Sequence, residues 1–113
     1  FSQVTAIDRN RIYAIDWGCQ LQLPQGYPHA LTQIAIRAHH LELTTKPGPI
    51  NSFPCELVTL SFTQHRVTLH LTLTPHGRSL QMEMLKTQWE QFQHQPAPWY
   101  LSFNISRLIL LTA

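Results

Sequence analysis

Apolar and polar residues alternate along most of this chain with a period of two, which is typical of strands that bury one face of a sheet. The clearest run covers residues 67–74, where Val67, Leu69, Leu71 and Leu73 alternate with threonine or histidine. We expect this leucine face in the core. The same pattern predicts further strands at residues 4–7, 12–17, 19–23, 31–36, 41–44, 51–62 with an interruption at Pro54, 80–84, 99–103 and 108–112.

One segment does not follow the strand period. In residues 86–93, Trp89 and Phe92 are three positions apart, which places them on one face of a short helix. Glycine and proline mark the turns between the strands, including the one predicted at residues 75–77.

A ten-residue segment occurs twice, at residues 34–43 and at residues 101–110. Each copy has an apolar strand, a polar corner and the start of a second apolar strand. The apolar positions match at a constant offset: Ile34 with Leu101, Ile36 with Phe103, Leu41 with Leu108 and Leu43 with Leu110. Such a repeat predicts two related small β-modules, and it favours binding or regulation over catalysis.

Residues 46–49 contain two prolines and a glycine, and they separate the two modules. The chain is therefore predicted to be all-β, with two tandem small OB-like five-stranded barrels and one short helix in the second. Residues 1–46 would form the first OB-like module, and residues 47–113 the second.

Composition limits the functional classes. Charged residues make up 12% of the 113 residues and hydrophobic residues 43%, which is not a disordered composition. The formal net charge of +2 and the lack of a basic run argue against a nucleic-acid partner. An OB-type binder of single strands, with Trp17 and Trp99 as a stacking platform, is the alternative to a core role for both tryptophans.

The cysteines and the start of the chain bear on its context. Cys19 and Cys55 are expected to be buried free thiols in a reducing compartment, with a disulfide between the modules as the alternative. No apolar run is long enough to span a membrane. The strand pattern begins almost at Phe1, so the chain is expected to be a piece of a longer polypeptide.

Motifs for catalysis are lacking in the sequence. It has no phosphate-binding glycine loop and no nucleophile elbow, so the chain is not expected to be an enzyme. Neighbouring His39 and His40 are expected to point to different sides and so to chelate a metal poorly. A zinc site built from His65, His70 and His76 is the alternative to histidines on the surface.

A family resemblance is carried by residues 34–43, which read IAIRAHHLEL. They resemble the IRPEHL type of segment in the C-terminal regulatory part of ABC-importer ATPase subunits. Residues 4–18 resemble the opening hairpin of that region, residues 51–58 the start of its second barrel, and residues 101–110 its closing strands. The resemblance covers essentially the whole chain.

Within this group the chain resembles the TOBE/Mop-like domains of molybdate and sulfate importers. In those modules an oxyanion is held by a Ser-Ala-Arg-Asn and a Lys-Ala-Ser segment. The resemblance implies Asn51, Asn104 and Ser106 as ligand residues, with Asn104 where the family has lysine. Because charge-assisted hydrogen bonds are about twice as strong as neutral ones, the missing cations predict weaker binding. Arg37 is a candidate for interdomain contact, and local strand-end hydrogen bonding is its alternative role.

The resemblance implies a non-catalytic regulatory and dimerisation domain of an oxyanion importer, with molybdate first, sulfate second, and iron or polyamine importers third. Such a domain would form a homodimer behind the nucleotide-binding domain of the parent chain, at the cytoplasmic face of the inner membrane. ATP and magnesium would bind that nucleotide-binding domain, and the membrane permease would be contacted indirectly. A stand-alone module that stores or senses molybdate or tungstate is the alternative.

Overall fold

The computed structural model describes residues 1–73 and 79–112, and the predicted turn at residues 75–77 lies outside this part. The fold is all-β with one short α-helix, as predicted. The strands are β1 Ser2–Asp8, β2 Arg11–Ala14, β3 Cys19–Gln22, β4 Leu31–Ala35, β5 Leu41–Thr44, β6 Ser52–Phe62, β7 Arg66–Leu73, β8 Ser79–Leu85, β9 Trp99–Phe103 and β10 Ile109–Thr112. Helix α1 is Lys86–Phe92.

The strands form two five-stranded antiparallel sheets, one of them curled into a half-barrel. The first sheet has the order β10-β4-β1-β2-β3, and the second has the order β5-β9-β6-β7-β8. Each sheet thus takes one strand from the other half of the chain, β10 in the first and β5 in the second. The division into units 1–46 and 47–113 stays a prediction.

The sequence repeat has a structural counterpart. Each copy is a strand, a single turn of 3₁₀ helix and a strand in the other sheet, and we call the 3₁₀ turns at Ala38–His40 and Ile105–Arg107 the first and second crossover turns. The copies pair with each other in both sheets, because β4 pairs with β10 and β5 with β9. Ile34 faces Leu110, and Leu43 faces Leu101, so an exchange of the two copies maps one pair onto the other.

The core is formed by the alternating apolar positions, as the pattern predicts. All four apolar residues of the β7 run are buried, and so are Leu80, Met82 and Met84 on β8. Trp17 is buried and stacks on Phe103 with ring centroids 5.2 Å apart, so its core role is confirmed. This stack joins the turn after β2 to the second sheet.

Helix α1 covers one end of the second sheet. Trp89 is buried, and both Trp89 and Phe92 make edge-on contacts with the Trp99 ring, at 6.0 and 4.9 Å between centroids. The side-chain oxygen of Gln88 accepts a hydrogen bond from the Leu85 amide at the start of the helix. The predicted face with Trp89 and Phe92 is therefore the packed face.

Two strand predictions need correction. The strand predicted at residues 12–17 ends at Ala14, because the chain turns before Gly18, whose φ of +71° suits glycine. Pro54 was expected to interrupt the sixth strand, yet β6 runs through it. Pro54 is only the third residue of β6, near the strand start where proline is tolerated, and it faces Tyr100 on β9.

Candidate functional site at the strand crossover

Asn51 is held firmly between the two sheets. It is buried and has φ +54°, a left-handed conformation that asparagine adopts more readily than most residues. Its Oδ1 accepts a hydrogen bond from the Gln22 amide at 2.7 Å, and its Nδ2 donates to the Gln22 carbonyl at 2.9 Å. The side-chain amide thus pairs with the end of β3 as a neighbouring strand would, so both of its polar atoms are already bound.

Asn104 and Ser106 form a local cap. Asn104 immediately precedes the second crossover turn, and its Oδ1 accepts hydrogen bonds from the Ser106 amide at 3.1 Å and the Ser106 hydroxyl at 2.7 Å. Nδ2 of Asn104 donates no hydrogen bond to any residue within the ranges 1–73 and 79–112. Asn104 therefore offers the two N–H groups of Nδ2 to a ligand, whereas the Ser106 hydroxyl already donates its hydrogen to Asn104 Oδ1.

The three predicted ligand residues come together in the fold. The Phe103 amide donates to the Asn51 carbonyl at 2.8 Å, which brings Asn51 beside the chain just before Asn104. Asn104 and Ser106 line an open groove of about 390 Å³ opposite the loop at residues 23–26. The other lining side chains of the second copy are Ile105, Leu108 and Leu110. The groove is mostly apolar, and none of its described lining residues is charged.

Arg37 stands where the first copy crosses between the sheets. It immediately precedes the first crossover turn, and its carbonyl accepts a hydrogen bond from the His40 amide at 2.9 Å. Its side chain is exposed and bonds to no residue that the structure describes. The interdomain contact predicted for Arg37 stays a prediction.

The prediction that His39 and His40 point to different sides is wrong, while their poor suitability as a metal-binding pair stays a prediction. Their rings lie against each other, with centroids 4.1 Å apart, because the two residues occupy a 3₁₀ turn rather than an extended strand. Nδ1 of His40 is buried without a hydrogen-bond partner in the described part of the chain. Burial lowers the pKa of His40, and the charges of His39, Arg107 and Arg37 lower it further.

Sequence reasoning missed this cationic group. Arg37 and Asn104 occupy equivalent positions of the two copies, and so do His40 and Arg107. Aligning the polar corners of the repeat, as well as its apolar positions, would have shown a concentration of basic residues at the crossover.

Cys19 and Cys55 are buried free thiols. Burial raises the pKa of the Cys19 thiol to about 12 and that of Cys55 to about 11. Because the thiolate is the nucleophilic form, both cysteines are unreactive at neutral pH in the folded protein.

Within the described ranges, no group of three or more histidine, cysteine or acidic side chains is placed to hold a metal ion. None of the described helices is long and apolar enough to cross a membrane. No protein-family model matches the chain, and no curated protein is significantly similar to it.

Proposed function

We propose that this chain is a non-catalytic regulatory and dimerisation domain of the ATP-binding subunit of an ABC importer for an oxyanion, with molybdate as the first candidate and sulfate as the second. The proposal rests on the resemblance of residues 34–43 to a segment of such domains. One structural observation supports it. The two copies of the repeat pair with each other, and their crossover brings together the residues that would contact the anion.

The proposed ligand groups are Nδ2 of Asn104 and the hydroxyl of Ser106, which line the groove. To bind the anion, the Ser106 hydroxyl would have to turn its hydrogen from Asn104 Oδ1 towards the groove. Asn51 would act through position, because its amide is bonded to Gln22 and its carbonyl to Phe103. An anion held by neutral donors binds more weakly than one held by arginine or lysine, so we expect a modest affinity.

The mechanism would be coupling between domain placement and the ATPase cycle. Two copies of this domain would pack across a two-fold axis, as is usual for homodimers. A ligand or partner that binds one relative placement more tightly would shift the nucleotide-binding domains between separated and closed states. ATP and magnesium would act in those domains of the parent chain, at the cytoplasmic face of the membrane.

The test is calorimetric titration with molybdate, tungstate and sulfate, with the oligomeric state followed by light scattering. Saturable heat at a fixed ratio of anion to dimer supports an oxyanion-responsive domain. Asn104→Ala should then weaken binding, while Gln91→Ala, which removes an exposed side-chain amide on α1, should not.

A monomer with no heat at millimolar anion would contradict both parts of the proposal. A dimer with no heat would retain dimerisation alone and reject the groove as a ligand site. Saturable binding by a monomer would favour a stand-alone storage or sensor module instead.

A further inference from the structure

The two crossover turns bring positive charge together on the surface where the chain passes between the sheets. Arg37 and His40 belong to the first turn and its approach, and Arg107 to the second. The strand pairing requires this proximity: Leu41 faces Phe103 on one side of the turns, and Ala35 faces Ile109 on the other. The charges of Arg37 and Arg107 both act on the pKa of His40, as expected from groups close in space.

These cations have no carboxylate partner among the described residues. The ion pair that the described residues do form joins Asp8 and Arg11, in the turn between β1 and β2 and not at the crossover. Glu42 and Glu83 border the groove beside His39, but neither comes within ion-pair distance of a histidine or of either arginine.

Asp16 is the acidic residue on the other side. It borders the cavity beside Ala38 and Leu41, and its carboxylate accepts a hydrogen bond from the Gln3 amide. Asp16 is therefore engaged at β1 in that cavity. The positive charge of the turns is left to be balanced from outside.

His40 is a built-in reporter of the charge at the crossover turns. A buried polar atom without a partner costs free energy, and it is uncommon in folded proteins. Nδ1 of His40 is such an atom. Because Nδ1 is closed off from solvent, an anion bound by the two arginines would act on the ring through its charge.

We propose that the crossover turns bind a small phosphate-bearing anion, held between the guanidinium groups of Arg37 and Arg107, with the ring of His40 close enough to sense its charge. Guanidinium groups bind phosphate oxygens in pairs, and two of them match the charge of a phosphate dianion better than that of a single carboxylate. Binding draws a proton onto His40, because the anion offsets the neighbouring positive charges.

The experiment is a titration of the whole chain with inorganic phosphate at constant ionic strength, followed by NMR of the histidine ring protons. His40→Gln identifies the His40 signal. Phosphate should shift that signal saturably and raise the pH midpoint of its titration by about 0.5 or more. Arg37→Gln and Arg107→Gln should each weaken phosphate binding by about tenfold.

Arg66→Gln is the matched control. Arg66 is an exposed arginine at the end of β7, where it faces Leu85, whereas the first crossover turn borders the cavity at residues 79–81. Its removal changes net charge equally and should leave binding unchanged. An equal loss in Arg66→Gln, or a uniform shift of all histidine signals, would mean general screening and overturn the site.

This inference is independent of the proposed function, since it uses different residues and a different probe. Asn104→Ala should not weaken phosphate binding as the arginine variants do. Phosphate binding without a molybdate response would reject the oxyanion groove and keep the crossover site. The reverse result would reject the crossover site alone.

Discussion

The two copies of the repeat share a backbone and differ in chemistry. Both cross from one sheet to the other through one 3₁₀ turn, and their apolar positions coincide. In the second copy Asn104 caps the turn through two hydrogen bonds to Ser106. In the first copy Arg37 holds the capping position, and no side-chain cap is formed.

This difference indicates that the apolar residues determine the strand pairing at the crossover, while the polar residues of the turns are available for another role. The apolar residues on either side of the turns fix the strand pairing, because a slip of one residue would turn buried side chains towards water. The polar corner is not needed for that pairing, so one copy can carry a local cap while the other carries unpaired cations. Substitutions at equivalent positions test this separation.

The largest effect is expected where the copies pair inside the core. Leu101 is fully buried and faces Leu43, whereas Leu110, the equivalent of Leu43, is 37% exposed on the edge strand β10. Leu101→Ala should lower the free energy of unfolding by about 3 kcal/mol, through lost burial and the cavity it leaves. Leu110→Ala should cost less than about 1 kcal/mol.

Urea unfolding followed by tryptophan fluorescence measures both values. Ile34→Ala is the control within the repeat, because Ile34 is equivalent to Leu101 and equally buried. Equal losses for Leu101→Ala and Leu110→Ala would contradict the placement of Leu101 in the core and of Leu110 on an edge strand.

A smaller loss is expected at Asn51, which joins the end of β3 to the crossover. Asn51→Ala should cost about 2 kcal/mol, since it leaves two Gln22 backbone groups unpaired and keeps a side chain at positive φ. Asn51→Gly should recover about 1 kcal/mol of this loss, because glycine adopts that φ freely. The same urea experiment separates the cost of the lost hydrogen bonds from the cost of a side chain at positive φ. Identical stabilities of Asn51→Ala and Asn51→Gly would show that the positive φ contributes nothing.

The sequence predicted the fold better than the site, and particular residues explain the difference. Alternation at Val67 to Leu73 reports burial directly, so the strands and the buried faces could be predicted. The exchange of β5 and β10 between sheets depends on long-range pairing of the two copies, which no local pattern reports. The bond of Asn51 to Gln22 likewise joins positions far apart in the chain. The sequence predicts a polar corner between the strands at residues 31–36 and 41–44, but nothing in it indicates the 3₁₀ turn that places the His39 and His40 rings in contact.

The two sheets can also be compared through their buried thiols, Cys19 in the first and Cys55 in the second. Folding raises the pKa of Cys19 from 9.0 to about 12 and that of Cys55 from 9.0 to about 11. Between pH 9 and the raised value, each thiol has lost its proton in the unfolded state but keeps it in the folded state. Stability is therefore fully present below pH 9 and falls as the pH rises. At pH 10 each thiol should cost on the order of 1 kcal/mol relative to pH 8.

Urea unfolding at pH 8 and pH 10 measures this dependence. Cys19→Ala and Cys55→Ala should each remove part of the decrease, while both retain the contributions of tyrosine and lysine. An unchanged pH dependence in both variants would show that the thiols are not protected by burial.

The smallest effect tests the capping difference itself. Asn104→Ala removes the oxygen that accepts from the Ser106 amide and hydroxyl, so it should cost about 1 kcal/mol, the usual value for a lost cap. Arg37→Asn places the same residue at the equivalent position of the first copy, where it can accept from the His39 amide. It also removes one of the charges around His40, so it should stabilise the protein by about 0.5 kcal/mol in phosphate-free buffer.

Arg37→Ala supplies the matched control, because it removes the charge without adding a cap. If Arg37→Asn is no more stable than Arg37→Ala, the first turn does not accept the cap of the second, and the two corners differ in backbone as well as in chemistry. If it is more stable than both Arg37→Ala and the unsubstituted protein, the natural arginine is less favourable for folding than asparagine. A cation that costs stability at a crossover where asparagine would fit is then explained best by what it binds.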